Sequence, residues 1–139
     1  NNYKLIMHST AEQAYGKKFA NPDLTRWEAH RVWVVEATLK PGQRHAQSKK
    51  VFYIDEDSWS IVLYEGYDQA GKLMRSSQGF VTYDWNTKSV PNTPMIVYDL
   101  VKGQYCSTMH MAGGSGYVRV DRWPNSRLTP ESMAGSGIR

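Results

Sequence analysis

Hydrophobic and polar positions alternate with period two over much of this chain. Across residues 27–39 one set reads Trp27, Ala29, Arg31, Trp33, Val35, Ala37, Leu39. The other reads Glu28, His30, Val32, Val34, Glu36, Thr38. Side chains two apart share a face of a strand, so the pattern predicts one long, half-buried strand with a mostly apolar face. Its thirteen residues would span roughly 43 Å at the usual rise per residue. That exceeds ordinary strand length, and a strand so long bends or coils with its sheet.

Lys40-Pro41-Gly42-Gln43 ends the run. Pro sets φ at the second turn position and Gly supplies positive φ at the third, which predicts a type II turn. A second strand is expected over 45–55, where Val51-Phe52-Tyr53-Ile54 is apolar on both faces. The acidic turn Asp55-Glu56-Asp57-Ser58 follows. A third strand starts at Trp59, setting Trp59, Ile61 and Leu63 against Ser60, Val62 and Tyr64. Gly71 closes the next turn in a left-handed position. A fourth strand over 72–85 carries a bulge at Gly79. The loop 86–94 holds two prolines and two asparagines. A fifth strand over 95–101 and a sixth over 104–111 are joined at Lys102-Gly103. Connections this short exclude parallel crossovers, so the sheet is expected to be antiparallel, mostly a meander.

The ends read differently. Ser9-Thr10-Ala11-Glu12 fits a capping box, which predicts a short helix over 10–19. Thr129-Pro130-Glu131 places Pro at a first helical position, predicting a turn of helix to Ala134, stopped by Gly135. Gly113-Gly114-Ser115-Gly116 reads as a flexible connection. The fold class is therefore mainly β with minor α: a strongly bent antiparallel meander or half-barrel with one or two short helices.

Composition bounds the rest. The 139 residues, 40% hydrophobic and 22% charged, suit one domain with a core of its own. No apolar run approaches a transmembrane helix. The chain opens Asn1-Asn2-Tyr3, without an initiator Met or signal peptide, and so reads as a piece of a longer protein. The net charge is +4, but the basic residues are scattered among acids. No basic stripe forms, so nucleic acid is not expected as a partner.

Candidate chemistry is sparse. Cys106 and His110 are four apart, which on a strand is about 13 Å, too far to share an ion. No metal or other cofactor is expected. The lone Cys could act as a nucleophile only if folding brought His30 or His45 to it. Asp55, Glu56 and Asp57 could serve acid–base work or Ca²⁺, but a tight hairpin favours Asp for its turn geometry. The aromatics are more informative. An apolar sheet face must be covered, either by a helix or by a ligand in a groove. The short terminal helices look too small for six strands. The residues expected to line an apolar binding surface are Trp27, Trp33, Val35, Leu39, Tyr53, Trp59, Ile61, Leu63 and Phe80.

The stretch Arg26-Trp27-Glu28-Ala29-His30-Arg31-Val32-Trp33-Val34-Val35-Glu36-Ala37-Thr38-Leu39-Lys40 resembles a signature segment of a Gram-negative envelope family of unknown function. That family is described as outer-membrane lipoprotein-sorting-like. Phe52-Tyr53-Ile54-Asp55-Glu56-Asp57-Ser58-Trp59, Tyr67-Asp68-Gln69-Ala70-Gly71-Lys72-Leu73, Tyr98-Asp99-Leu100 and Leu128-Thr129-Pro130-Glu131 match in the same order. The resemblance implies a longer, exported protein of which this chain is the C-terminal portion. It also implies a fold like the LolA/LolB carriers, whose half-barrel shields acyl chains. It further implies a periplasmic or outer-membrane location and no catalysis. The partners expected from it are a lipid or other hydrophobic ligand and the N-terminal portion of the protein. An envelope transport protein docking on an exposed sheet edge is the alternative, and a hydrolase or isomerase using His30 or His45 the third reading.

Overall fold

The computed structural model describes residues 2–90, 94–108 and 120–136. Its centre is a six-stranded open sheet in the order β1-β2-β3-β4-β5-β6, every pair antiparallel. The strands are β1 (Val32–Thr38), β2 (Lys49–Asp55), β3 (Ile61–Tyr67), β4 (Leu73–Gly79), β5 (Met95–Asp99) and β6 (Gln104–Thr108). Among the described residues three short α-helices accompany them: α1 (Tyr3–Met7), α2 (Ala11–Ala14) and α3 (Pro130–Ser136). The meander is the one predicted, and the sheet does not close into a barrel.

The turns form where local chemistry demands them. Gly42 has φ 77° and the Gln43 N–H donates to Lys40 O at 3.2 Å, closing the Pro-Gly turn. Gly71 has φ 76°. Asp68 Oδ1 accepts from the N–H groups of Ala70 and Lys72, both at 2.9 Å.

Several strand ends differ from expectation. The first strand holds seven residues, and residues 27–31 are not part of it. Val32 pairs with Asp55, the last residue of β2. Beyond Asp55 the chain turns away, and after the Glu56 N–H, which donates to Arg31 O, no ladder continues along 27–31. The second strand starts at Lys49, because the Gln47 N–H donates to His45 Nδ1 at 2.9 Å and folds that stretch into a local turn. Trp59 lies in the β2–β3 turn with φ 57°, and not on a strand face. The fourth strand ends at Gly79, which pairs normally with Met95. The bulges fall at Tyr53/Ile54 and Gly66/Tyr67 instead. The fifth strand ends at Asp99, whose Oδ1 accepts from the N–H groups of Val101 and Lys102 and starts the turn there. The Gly113–Gly116 connection and the far end of the sixth strand lie outside the described residues.

The capping box forms one residue later than the sequence suggests. Thr10 caps α2 with Gln13 as its reciprocal partner. The Ser9 hydroxyl is already spent, donating to Leu5 O at 2.5 Å at the end of α1. Helix α1 was not foreseen. Five residues cannot hold a helix alone in water, so its stability comes from packing.

That packing defines the core. Leu5, Ala14, Ala20, Phe80 and Ile96 are buried together, with Tyr15, Leu24, Tyr98 and Tyr105 against them. Cross-strand partners share a sheet face, so the register places Ile96, Tyr98 and Tyr105 on one face. The amino-terminal segment covers that face at its β4–β6 end. The β1 end is bare: Trp33, Val34 and Val35 are 56%, 57% and 45% exposed.

Candidate ligand-binding cleft

Leu63 of β3 and Gln78 of β4 are cross-strand partners on the face that carries the core. Beside them, residues 25–30 run alongside the sheet without joining it. A cleft of about 300 Å³ opens between the two. Its apolar lining is Trp27, Val62, Leu63, Phe80 and Val81, and its polar lining is Asn2, Thr25, Arg26, Glu28, His30, Asp55 and Gln78.

Two anchors hold the wall at 25–31. At one end the Arg26 N–H donates to Asn2 Oδ1 at 2.8 Å, and the Asn2 N–H donates to Val81 O at 3.1 Å. At the other, His30 Nδ1 lies 2.8 Å from Asp55 Oδ1, and the Glu56 N–H donates to Arg31 O at 3.2 Å. An Arg31–Glu56 ion pair reinforces this end at 3.1 Å.

Asp55 is the organising group. It is 4% exposed. Its Oδ2 accepts from the Ser58 N–H at 2.9 Å and the Ser58 hydroxyl at 2.6 Å. Burial alone would push its carboxyl up. The bonds from Ser58, together with His30, outweigh burial and hold it below its ordinary value. The acidic turn thus uses its first Asp for hairpin capping, as Asp does in tight turns.

This arrangement does not make a nucleophilic relay. A relay places His between carboxylate and hydroxyl, whereas here the carboxylate stands between His30 and Ser58. Cys106 sits on β6, at the opposite edge of the sheet from β1, and the fold does not bring it to His30. His45 is engaged in its own turn. His30, Asp55 and Asp57 each place one donor atom within 4.8 Å of the others. Both Asp55 oxygens already accept hydrogen bonds from protein groups, from His30 on one and Ser58 on the other. His110 lies outside the described residues.

The nine residues expected to line an apolar surface are divided. Trp27, Leu63 and Phe80 meet in the cleft. Trp33 and Val35 pair with Ile54 and Phe52 and so lie on the opposite face of the sheet. Ile61 pairs with Ile54 at the start of β3. Tyr53 shares a face with Leu63, but its hydroxyl donates to Glu65 Oε2 at 3.0 Å. Tyr67 donates to the same oxygen at 2.8 Å. Those bonds to Glu65, with burial behind them, push both tyrosine hydroxyls above their ordinary value. Leu39 follows β1 and bonds to Ser48 O through its N–H. Trp59 is 73% exposed at the hairpin. Asn2, Thr25, Arg26, Val62, Gln78 and Val81 were not foreseen. Arg26 and Glu28 could have been found only by seeing that the alternating run stops pairing before Val32.

Fold and cleft together define a mainly β protein: an open antiparallel meander with one partly enclosed apolar hollow beside it. Residues 1–134 match the family described as a protein of unknown function, DUF1329. The chain belongs to that family. It is 46% identical over 121 residues to an uncharacterized protein, PA3922, of Pseudomonas aeruginosa. That match takes in 86% of this chain and 26% of the relative, so the chain spans about a quarter of the relative's length. Two crystal structures are also similar. One is a domain ascribed to outer-membrane lipoprotein sorting from Vibrio parahaemolyticus, with 17% identity and TM-score 0.41, over 69% of this chain and 49% of that one. The other is the LolA superfamily protein NE2245 from Nitrosomonas europaea, with 16% identity and TM-score 0.43, over 86% and 59%.

Proposed function

We propose that this chain binds a small hydrophobic or amphiphilic ligand, of the lipid class, in the cleft and performs no chemistry on it. The cleft itself carries the reading. Its volume of about 300 Å³ is at the lower end of ordinary ligand pockets, and its apolar wall with a few convergent polar groups is their usual make-up. Trp27, Leu63 and Phe80 offer contact to an acyl or similar chain. Two polar pairs, Arg26 with Glu28 and His30 with Asp55, would meet the ligand's head. The carboxylate-centred arrangement around Asp55 argues against a hydrolase. The envelope location, periplasmic or at the outer membrane, belongs to the same proposal and draws on the sequence resemblance. Among the described residues no helix is long and apolar enough to cross a membrane.

Native mass spectrometry after mild extraction, followed by titration with a neutral alkyl-chain probe such as decanol, tests the proposal. Binding is expected, and Leu63→Trp, which fills the cleft, should weaken it by about tenfold or more. Protein that takes up no probe, or a Leu63→Trp variant that binds as well as the parent, overturns it.

A second reading rests on β1. It is an edge strand, exposed on both faces, with Glu36 as its one charge and no Pro or Lys to protect the edge. Such an edge suits docking of another strand. Light scattering with the rest of a longer family member supplied in trans distinguishes the two readings. Tight association without probe binding favours docking.

A further inference from the structure

Four of the chain's five tryptophans stand at one end of the sheet. That end gathers the start of β1, the β2–β3 turn and the segment that leaves β4. Trp33 is the second residue of β1. Trp59 sits at the turn, where its N–H donates to Asp55 O at 2.9 Å. Trp27 lies on the cleft wall, next to Arg26, which is tied through Asn2 to Val81. Trp85 follows in a turn closed by the Asp84 N–H on Ser89 O at 2.9 Å, and its ring meets Tyr83 edge-on. All four indoles are more than half exposed. Large apolar groups gathered in one exposed region mark a docking surface. Their chemistry says for what. An indole joins an apolar body to a single N–H donor, which suits the headgroup level of a bilayer. Among the described residues no partner holds any of these four indole N–H groups within the protein. The charges at this end do not favour an anionic surface. Segments 25–31, 55–60 and 80–90 hold three basic residues, Arg26, Arg31 and Lys88, against five acidic ones. The basic excess of the chain therefore lies elsewhere.

We infer that this end of the sheet docks on the headgroup layer of a zwitterionic phospholipid bilayer, with Trp59 and Trp85 as anchors and the cleft, at Trp27, opening beside the lipid. The docking stands on the exposed indoles and holds whether or not the cleft takes a ligand.

The test is co-sedimentation of the full chain with phosphatidylcholine vesicles, with tryptophan fluorescence and its quenching by brominated lipid as a second readout. The chain is expected to partition onto the vesicles, with a blue shift. It should stay bound at about 0.5 M salt, where exposed charges are screened. Trp85→Ser and Trp59→Asn place residues suited to turns, and each should weaken partitioning about fivefold or more. Neither side chain lines the cleft, so the decanol affinity of both variants should match the parent. Val101→Ser removes an exposed apolar group from the opposite end of the sheet and should leave partitioning unchanged. Absence of vesicle binding overturns the inference and leaves the ligand-binding reading to the decanol titration. Binding that requires phosphatidylglycerol and is lost in salt also overturns it, because the contact would then rest on the basic surface. So does a loss in Val101→Ser as large as that in Trp85→Ser.

Discussion

Replacing Asp55 by Ala tests whether one carboxylate ties the cleft wall to the sheet. The residue is 4% exposed, and its carboxylate takes three hydrogen bonds, from His30 Nδ1 and from the N–H and hydroxyl of Ser58. Bonds to a charged group contribute about 1.5–3 kcal/mol each. They do not simply add here. The half-exposed His30 ring and the Ser58 hydroxyl can turn to water, while the Ser58 N–H, fixed in the hairpin, loses its partner. The expected loss is therefore about 2–3 kcal/mol. With a urea m-value of about 1.5 kcal/mol/M for a domain of this size, the midpoint moves down by about 1.3–2 M. Asp55→Asn, which keeps the volume but not the charge, should fall between the two. The pH dependence gives a separate check. The folded-state carboxyl lies below its ordinary value, so its contribution is present above the unfolded pKa and is lost as pH falls through the folded one. Urea midpoints of parent and Asp55→Ala, followed by fluorescence, should differ fully at about pH 6 and converge well below about pH 4. A variant within about 0.5 kcal/mol of the parent at neutral pH would refute the reasoning. So would a gap that stays constant into acid.

Trp59 carries a left-handed backbone that costs a non-glycine residue about 1–2 kcal/mol. Trp59→Gly gives back part of that in unfolded-state entropy, and a net gain of about 0.5–1 kcal/mol in thermal unfolding is expected; a loss would mean that the exposed indole holds the hairpin. Gly66 lies under the Gln47 side chain, and a Cβ there would fall 2.3 Å from Gln47 Nε2. Gly66→Ala should therefore break the half-buried Tyr64–Gln47 hydrogen bond and cost about 1–2 kcal/mol in urea. In the Gln47→Ala background the cost should shrink but not vanish, because the added Cβ would still fall 2.7 Å from the Tyr64 hydroxyl.

The legible part of this fold is the part fixed by neighbours in sequence. Pro41-Gly42 and Gly71 specify their turns without reference to the rest of the chain. Once connections are that short, an antiparallel meander follows. Strand ends are not local. The alternation from Trp27 continues without a break into β1, yet whether 27–31 is strand depends on where β2 runs out of residues to pair. That boundary decided the site. Read as one strand, Trp27 and Trp33 share a face. With 27–31 released from the sheet, Trp27 lines the cleft on the core face while Trp33 stands on the other. Asp55 was legible as a turn residue because an Asx contact to Ser58 is local. Its bond to His30, 25 residues away in sequence, was not.

Phe80 joins the core to the cleft. It is nearly fully buried and belongs to the core cluster with Leu5, Ala14, Ala20 and Ile96, yet it also lines the cleft with Leu63 and Trp27. Filling the cleft therefore adds contact to a ring that the amino-terminal helices already pack against. A ligand that binds only the folded state stabilises it, by about 2.7 kcal/mol at a hundred times its dissociation constant. Phe80→Leu keeps the position apolar and shortens the side chain. If the ring serves both core and cleft, the substitution should lower stability by about 1–2 kcal/mol and weaken decanol binding several-fold. The thermal stabilisation at fixed decanol should shrink accordingly. If Phe80 were a core residue alone, stability would fall while the decanol affinity stayed at the parent value. That outcome would place the ligand away from the seam between sheet and amino-terminal segment.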